Sequence, residues 1–244
     1  MIEHIVSQNG NSLAFCRRIG ATPTIVFLPG YMSDMTGSKA EALDHWAGVR
    51  GQDFLRLDYS GCGASGGRFE DGTLGRWQQD ARAVIDHAAP GPVVLVGSSM
   101  GGWLALLLAR ELGRRCVALV GIAAAPDFTE WGTSAADRQR FEAGETIAEP
   151  SAYADTPYVT TAAFWRSGQA NRLLGGPIAY DGPVRLLHGQ ADPDVPWPIA
   201  LDIADRVSSS DVQVTLVKDG DHRLSRPQDI ALLTGTLDDL LENM

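Results

Sequence analysis

The stretch VVLVGSSMGGWLALLLAR, residues 93–110, decides how this chain folds. Two apolar runs flank the glycine-rich junction Gly97-Ser98-Ser99-Met100-Gly101-Gly102. The first, Pro92–Val96, is short and β-branched, as in a strand covered on both faces. The second is rich in leucine and alanine and reads as a helix, Met100–Leu112, closed by Gly113. Glycine weakens regular structure unless the backbone must turn sharply or be approached closely. Gly97-x-Ser99-x-Gly101, set directly between a strand and a helix, therefore reads as a tight elbow with Ser99 at its tip. Such a turn lifts the hydroxyl above the sheet edge. It also sets Ser99 at a helix start, where unpaired N–H groups and the dipole favour an anion. The Met100 N–H is then aimed at a developing oxyanion.

Outward from this junction, strand and helix patterns alternate. Ile2–Ser7 and Ser12–Arg17 read as a hairpin about Asn9-Gly10. Thr24–Leu28 is a buried strand stopped by Pro29-Gly30, Ser38–Val49 a helix, Asp53–Asp58 a strand and Thr73–Ala89 a helix. Downstream, Cys116–Ile122, Val184–His188 and Val212–Val217 read as strands, and Pro198–Val207 and Gln228–Leu241 as helices. The class is α/β: eight strands in a mostly parallel sheet, helices on both faces, beginning with an antiparallel hairpin. Between Ala125 and Gly182 no strand pattern shows. Helical patterns occur there at Ala135–Ala143 and Thr160–Leu174, with Phe128, Trp131, Phe141, Tyr153, Tyr158, Phe164 and Trp165 nearby. We read residues 1–244 as one domain, with 126–180 as a small helical cap over the carboxyl ends of the strands.

Composition narrows the function. The chain has 244 residues, 44% of them apolar, which suffices for the core of one large domain. A net charge of −10 without a basic cluster argues against nucleic acid as a partner, because phosphate binding rests on lysine and arginine. The longest apolar run, Trp103–Ala109, is too short to span a bilayer, so stable membrane insertion is not expected. Cys16, Cys62 and Cys116 form no C-x-x-C pair and fit a reducing compartment. The opening MIEHIVSQNG has no leader pattern. A soluble cytoplasmic protein is expected.

A serine hydroxyl is a weak nucleophile and needs a histidine base, itself oriented by a carboxylate. After an elbow of this kind the partners follow in the order acid, then histidine, each past a late strand. Of five histidines, His4 falls in the first hairpin and His45 and His87 in helices. His188 ends a strand but precedes every acid that follows it. His222, just past the last strand, meets each requirement. For the acid, Asp192 and Asp194 compete in HGQADPDVP. Asp192 is nearer the strand end, whereas Asp194 suits a turn or helix cap. A second oxyanion donor is expected from the loop Leu28-Pro29-Gly30-Tyr31, and the Tyr31 N–H is the choice. With 27 glycines, chance matches occur, and Gly63-Ala64-Ser65-Gly66-Gly67 is a second one. It runs into polar RFEDG and is set aside. Gly61-x-Gly63-x-x-Gly66 opens no helix, so a dinucleotide site is set aside as well.

The words LPGYMSDMTGSKA, RLDYSGCGASGG, TLGRWQQD, VGSSMGGW, RLLHGQADPDVPW and DHR occur in the order seen in the α/β-hydrolase family, which this chain resembles over nearly its whole length. Within that family they are similar to words of mitochondrial acyl-ester and acyl-thioester hydrolases. The resemblance implies Ser99, Asp192 and His222 as a catalytic triad. It also implies hydrolysis of a small-molecule acyl ester or an acylated thiol, with no metal and no cofactor. Lacking a transit segment, the chain is expected to be a bacterial-type cytosolic relative. Residues 126–180 match little and are expected to shape the acyl pocket. Arg138, Arg140, Arg166 and Arg172 offer local positive charge there, against their ordinary role as solvated helix residues. The rival readings are a peptidase or carbon–carbon bond hydrolase on the same triad, and a binding protein that keeps the fold without catalysis.

Overall fold

A computed structural model describes residues 1–151 and 156–244; Tyr153 lies outside the described residues. The chain opens with a hairpin, β1 (Glu3–Val6) and β2 (Ser12–Arg18), paired antiparallel. Next come β3 (Ala21–Leu28), α1 (Ser38–Arg50), β4 (Gln52–Leu57), α2 (Leu74–Ala88), β5 (Val93–Ser98), α3 (Met100–Leu112) and β6 (Cys116–Ile122). The segment that follows holds α4 (Phe128–Trp131), α5 (Ala135–Glu142), β7 (Ile147–Glu149), β8 (Tyr158–Thr160) and α6 (Ala162–Ala170). The alternation resumes with β9 (Val184–Gly189), α7 (Pro198–Arg206), β10 (Val212–Val217) and α8 (Pro227–Glu242).

The main sheet has eight strands in the order β1-β2-β4-β3-β5-β6-β9-β10. Only the β1–β2 and β2–β4 pairs are antiparallel. Side chains alternate across such a sheet. On β3, Val26 and Leu28 enter one core while Ile25 and Phe27 enter the other. On β5, Val93 and Leu95 divide from Val94 and Val96 in the same way. The first core is closed by α2, α3 and α7, the second by α1 and α8. On α2 the apolar positions Trp77, Ala81, Val84, Ile85 and Ala88 all turn inward at helical spacing. This is the α/β hydrolase arrangement, and it agrees with the expected sheet.

The segment after β6 departs from expectation in one respect. Ile147–Glu149 and Tyr158–Thr160 pair as a small antiparallel ribbon where the sequence shows no strand pattern. Three residues are too few to display a period of two. The helices predicted at 135–143 and 160–174 form as Ala135–Glu142 and Ala162–Ala170, capped by Ser134 and Thr161 side chains. Phe141, Ile147, Ala162 and Trp165 form a separate small core inside this segment. Among the described residues no helix is long and apolar enough to cross a membrane.

Candidate active site

Ser99 sits between the end of β5 and the start of α3 with φ 55° and ψ −121°. A side chain at positive φ stores strain, about 1–3 kcal/mol, and persists only where the surroundings impose it. They do so closely here. The Ser99 N–H donates to the Ile122 carbonyl at 2.9 Å, and the Ser99 carbonyl accepts from Gly102 at 2.9 Å and Ala125 at 3.1 Å. Two glycines admit the turn by close approach. A Cβ on Gly97 would lie 2.2 Å from the Gly101 carbonyl oxygen, and one on Gly101 would lie 2.0 Å from that of Leu28. The glycines of the elbow are thus dictated by backbone packing.

The structure brings His222 and Asp192 to this serine. His222 Nε2 lies 3.1 Å from Ser99 Oγ, and His222 Nδ1 lies 2.8 Å from Asp192 Oδ2. A carboxylate only accepts, so Nδ1 carries the hydrogen and Nε2 is left to accept from the serine hydroxyl. The loop bearing His222 is pinned to the loop after β9. Ala191 N–H donates to the Gly220 carbonyl at 3.0 Å and Gln190 N–H to that of Val217 at 2.8 Å. From the other side, the Lys39 ammonium donates to the carbonyl of Arg223, next to His222. Burial pulls the Lys39 ammonium down to about 8.

Asp192 and Asp194 separate cleanly. The Asp192 side chain is fully buried. Its Oδ1 accepts the N–H groups of Asp194 at 2.8 Å and Val195 at 2.9 Å. Burial pushes this carboxyl up, but hydrogen bonds from His188, His222 and Val195 outweigh it and hold the group well below the usual carboxylate range. Asp194 is exposed, and the hydrogen bond to the His222 Nδ1 goes to Asp192. Asp192, Asp194 and His222 each bring one possible metal-ligand atom within 4.8 Å of the others. The Asp192 oxygens and His222 Nδ1 are already engaged in hydrogen bonds to one another and to the backbone.

Gly30 brings the loop after β3 against the serine: a Cβ there would lie 3.3 Å from Ser99 Cβ. Neither the Met100 nor the Tyr31 N–H donates to another group among the described residues. For Met100 this follows from its place at the first helical position. The Tyr31 side chain turns away. Its ring packs on Phe69, Trp77, Phe128, Tyr158 and Phe164, and its hydroxyl donates to the Val159 carbonyl of β8 at 2.7 Å.

Other sequence candidates have structural explanations. The Ser65 hydroxyl is held between the Ala14 N–H and the Asp58 carbonyl, both at 2.8 Å, so the second glycine-serine match is a loop fastening. The arginines of the inserted segment are engaged within or beside it. Arg138 and Arg172 pair with Glu130, Arg140 with Glu145, and Arg166 donates to the Phe141 and Glu142 carbonyls. The cavity of about 530 Å³ bounded by Asp127, Glu130, Trp131, Gln169, Arg172 and Leu174 contains none of Ser99, Asp192 or His222. One histidine that the sequence set aside as a base lies against the site after all. His188, fully buried at the end of β9, lies 3.3 Å from Asp192 Oδ2 through its Nε2. Its four-residue spacing from Asp192 was the available signal.

Residues 25–231 match the family described as Alpha/beta hydrolase family. The chain belongs to that family. This hydrolase is 41% identical to mouse palmitoyl-protein thioesterase ABHD10, mitochondrial, over 237 residues, which are 96% of this chain and 80% of the relative. The solved structure of mouse alpha/beta hydrolase domain-containing protein 10 superposes with a TM-score of 0.93 at 38% identity, covering 100% of the hydrolase and 99% of that chain. A solved structure of a putative hydrolase from Agrobacterium vitis S4 gives a TM-score of 0.92 at 42% identity, with 98% of each chain covered.

Proposed function

We propose that this hydrolase cleaves acyl esters or acyl thioesters through a covalent acyl-enzyme on Ser99, with His222 as general base and acid and Asp192 as the orienting carboxylate. One observation carries the reading: Ser99 Oγ, His222 and Asp192 stand in a hydrogen-bonded row of 3.1 and 2.8 Å at a strained strand-to-helix turn. His222 Nε2 takes the hydroxyl proton as Oγ attacks the acyl carbon. Asp192 keeps Nδ1 protonated and stabilises the imidazolium that forms. The oxyanion rests on the Met100 and Tyr31 N–H groups, each worth on the order of 3 kcal/mol. The imidazolium returns its proton to the departing alcohol or thiol, and water repeats the sequence on the acyl-enzyme. All proton transfers run through His222, so the chemistry calls for no metal or cofactor.

The substrate class draws support from two sides. The mouse relative is named for thioester cleavage. The partly buried rings of Phe69, Phe128 and Tyr158 pack on Tyr31, which follows Gly30 beside Ser99, and offer apolar surface to an acyl chain. Phe128, Tyr158 and Phe164 come from residues 126–180, which we assign as the cap of the single domain. The free thiols Cys16, Cys62 and Cys116 fit a reducing compartment such as the cytoplasm, and the charge of −10 argues against nucleic acid as a partner.

The test is turnover of p-nitrophenyl esters, an acyl-CoA and an acylated cysteine peptide by the chain and by Ser99→Ala. Loss on the order of 10⁴-fold or more in the variant is expected. Undiminished turnover in Ser99→Ala refutes the reading. Cleavage of peptides or carbon–carbon bonds in place of esters moves the chain to the rival hydrolases, and failure of a fluorophosphonate to label Ser99 points to a non-catalytic protein.

A further inference from the structure

We infer that His188 is a positioning residue of this site: its Nε2–H secures the Asp192 carboxylate, and through it the His222 ring, in the orientation that serves Ser99. The inference rests on the acyl-hydrolase reading. On β9, Leu186 and Leu187 lie buried just before His188. An imidazole in such a place is costly unless its polar atoms are bonded. His188 is 0% exposed, and its Nδ1 has no hydrogen-bond partner among the described residues. Every polar tie of the ring therefore runs through Nε2. That nitrogen faces two oxygens, the Val195 carbonyl at 3.0 Å and Asp192 Oδ2 at 3.3 Å. A bare lone pair between two oxygens would be repelled by both, so Nε2 carries the hydrogen, which it donates to the Val195 carbonyl while lying 3.3 Å from Asp192 Oδ2.

The consequence appears on the carboxylate. Asp192 Oδ1 already takes the Asp194 and Val195 N–H groups, and Oδ2 takes His222 Nδ1. The His188 Nε2–H lies beside Oδ2 at 3.3 Å and adds its attraction on the remaining side. An ionised carboxylate has about four acceptor positions, and engaging it from every side fixes its plane as well as its charge. The same N–H also fastens the Val195 carbonyl, so the turn 192–195 is braced at both ends by one ring. With the carboxylate free to rotate, His222 would lose its fixed direction toward Ser99.

His188→Leu and His188→Gln separate orientation from packing. The leucine variant, folded by circular dichroism, is expected to lose at least about tenfold in kcat for a p-nitrophenyl ester with KM within about twofold of the parent. The glutamine amide reaches the same oxygens, so that variant is expected to recover most of kcat. Unchanged kcat in the leucine variant, an equal loss in both, or a change confined to KM overturns the inference. Should the leucine variant fail to fold, the parent protein decides. ¹⁵N-histidine NMR must show His188 as the Nε2–H tautomer with Nδ1 bare, and the Nδ1–H tautomer overturns it. Absence of turnover in the parent condemns the acyl-hydrolase reading instead, and leaves the tautomer as the measure of the His188–Asp192 contact.

Discussion

His222 Nε2 stands 3.1 Å from Ser99 Oγ although 123 positions separate the two residues in the chain. The meeting is fixed from both sides. Ser99 is held on its turn by Ile122, Gly102 and Ala125. His222 is held by the loop after β9 and by Lys39. Few degrees of freedom remain between the two side chains, which is what proton transfer over this distance requires.

Asp192→Asn is expected to lower kcat by about 10³–10⁴-fold while the protein stays folded, because an amide can offer His222 Nδ1 a donor and select the wrong tautomer. Asp194→Asn is expected to stay within about tenfold of the parent, its carboxylate being outside the bond to Nδ1. Steady-state kinetics on one activated ester compare them. The reverse ranking transfers the acid's role to Asp194.

Glycine positions give opposite signs. Gly101→Ala drives a Cβ to 2.0 Å from the Leu28 carbonyl and is expected to cost about 2 kcal/mol or more in stability, with activity lost as the elbow shifts. Gly235, inside α8, has open space where a Cβ would stand, with nothing within 4 Å. Gly235→Ala is therefore expected to stabilise the fold by about 0.5–1 kcal/mol through helix propensity. Urea unfolding midpoints decide both.

The Asp192 carboxyl is held below its unfolded value, so it contributes stability that is fully present above about pH 4, the ordinary aspartate range, and is lost as pH falls toward its folded value. Parent and Asp192→Asn should therefore differ most in unfolding midpoint near pH 6 and converge toward pH 2. A gap that widens on acidification contradicts the assignment of an ionised, hydrogen-bonded carboxylate.

Tyr31→Phe removes the hydroxyl that donates to Val159 and leaves the Tyr31 N–H in place. A loss of about 1 kcal/mol in stability is expected from the broken bond. If 126–180 caps the acyl site, KM should rise for long acyl chains more than for acetate, with kcat on acetate within about twofold. A uniform collapse of kcat would show that the side chain, not the backbone, serves the oxyanion.

Local patterns in the chain carried the sheet and the elbow. Val93–Leu112 alone shows a buried strand, a glycine-lined turn and an apolar helix, because each depends on neighbours within a few residues. The ribbon of β7 and β8 was illegible since its strands are too short for periodicity and are shaped by the aromatic cluster around Tyr31 and the small core at Phe141. Ser65 and Ser99 share a motif, and their difference lies in what surrounds the hydroxyl: two backbone groups for Ser65, an imidazole for Ser99.

By itself, the sequence indicated the α/β class, the elbow serine, a late histidine and Asp192 as the nearer acid, since strand runs, glycine spacing and chain order are local properties. Nearness to the strand end already favoured Asp192 over Asp194; only the tertiary structure shows Asp192 hydrogen-bonded to the His222 imidazole with His188 behind it. Those contacts depend on how the turn 192–195 closes against β9 and the loop before α8, and a one-dimensional pattern does not encode the distances or the buried partner ring that this closure creates.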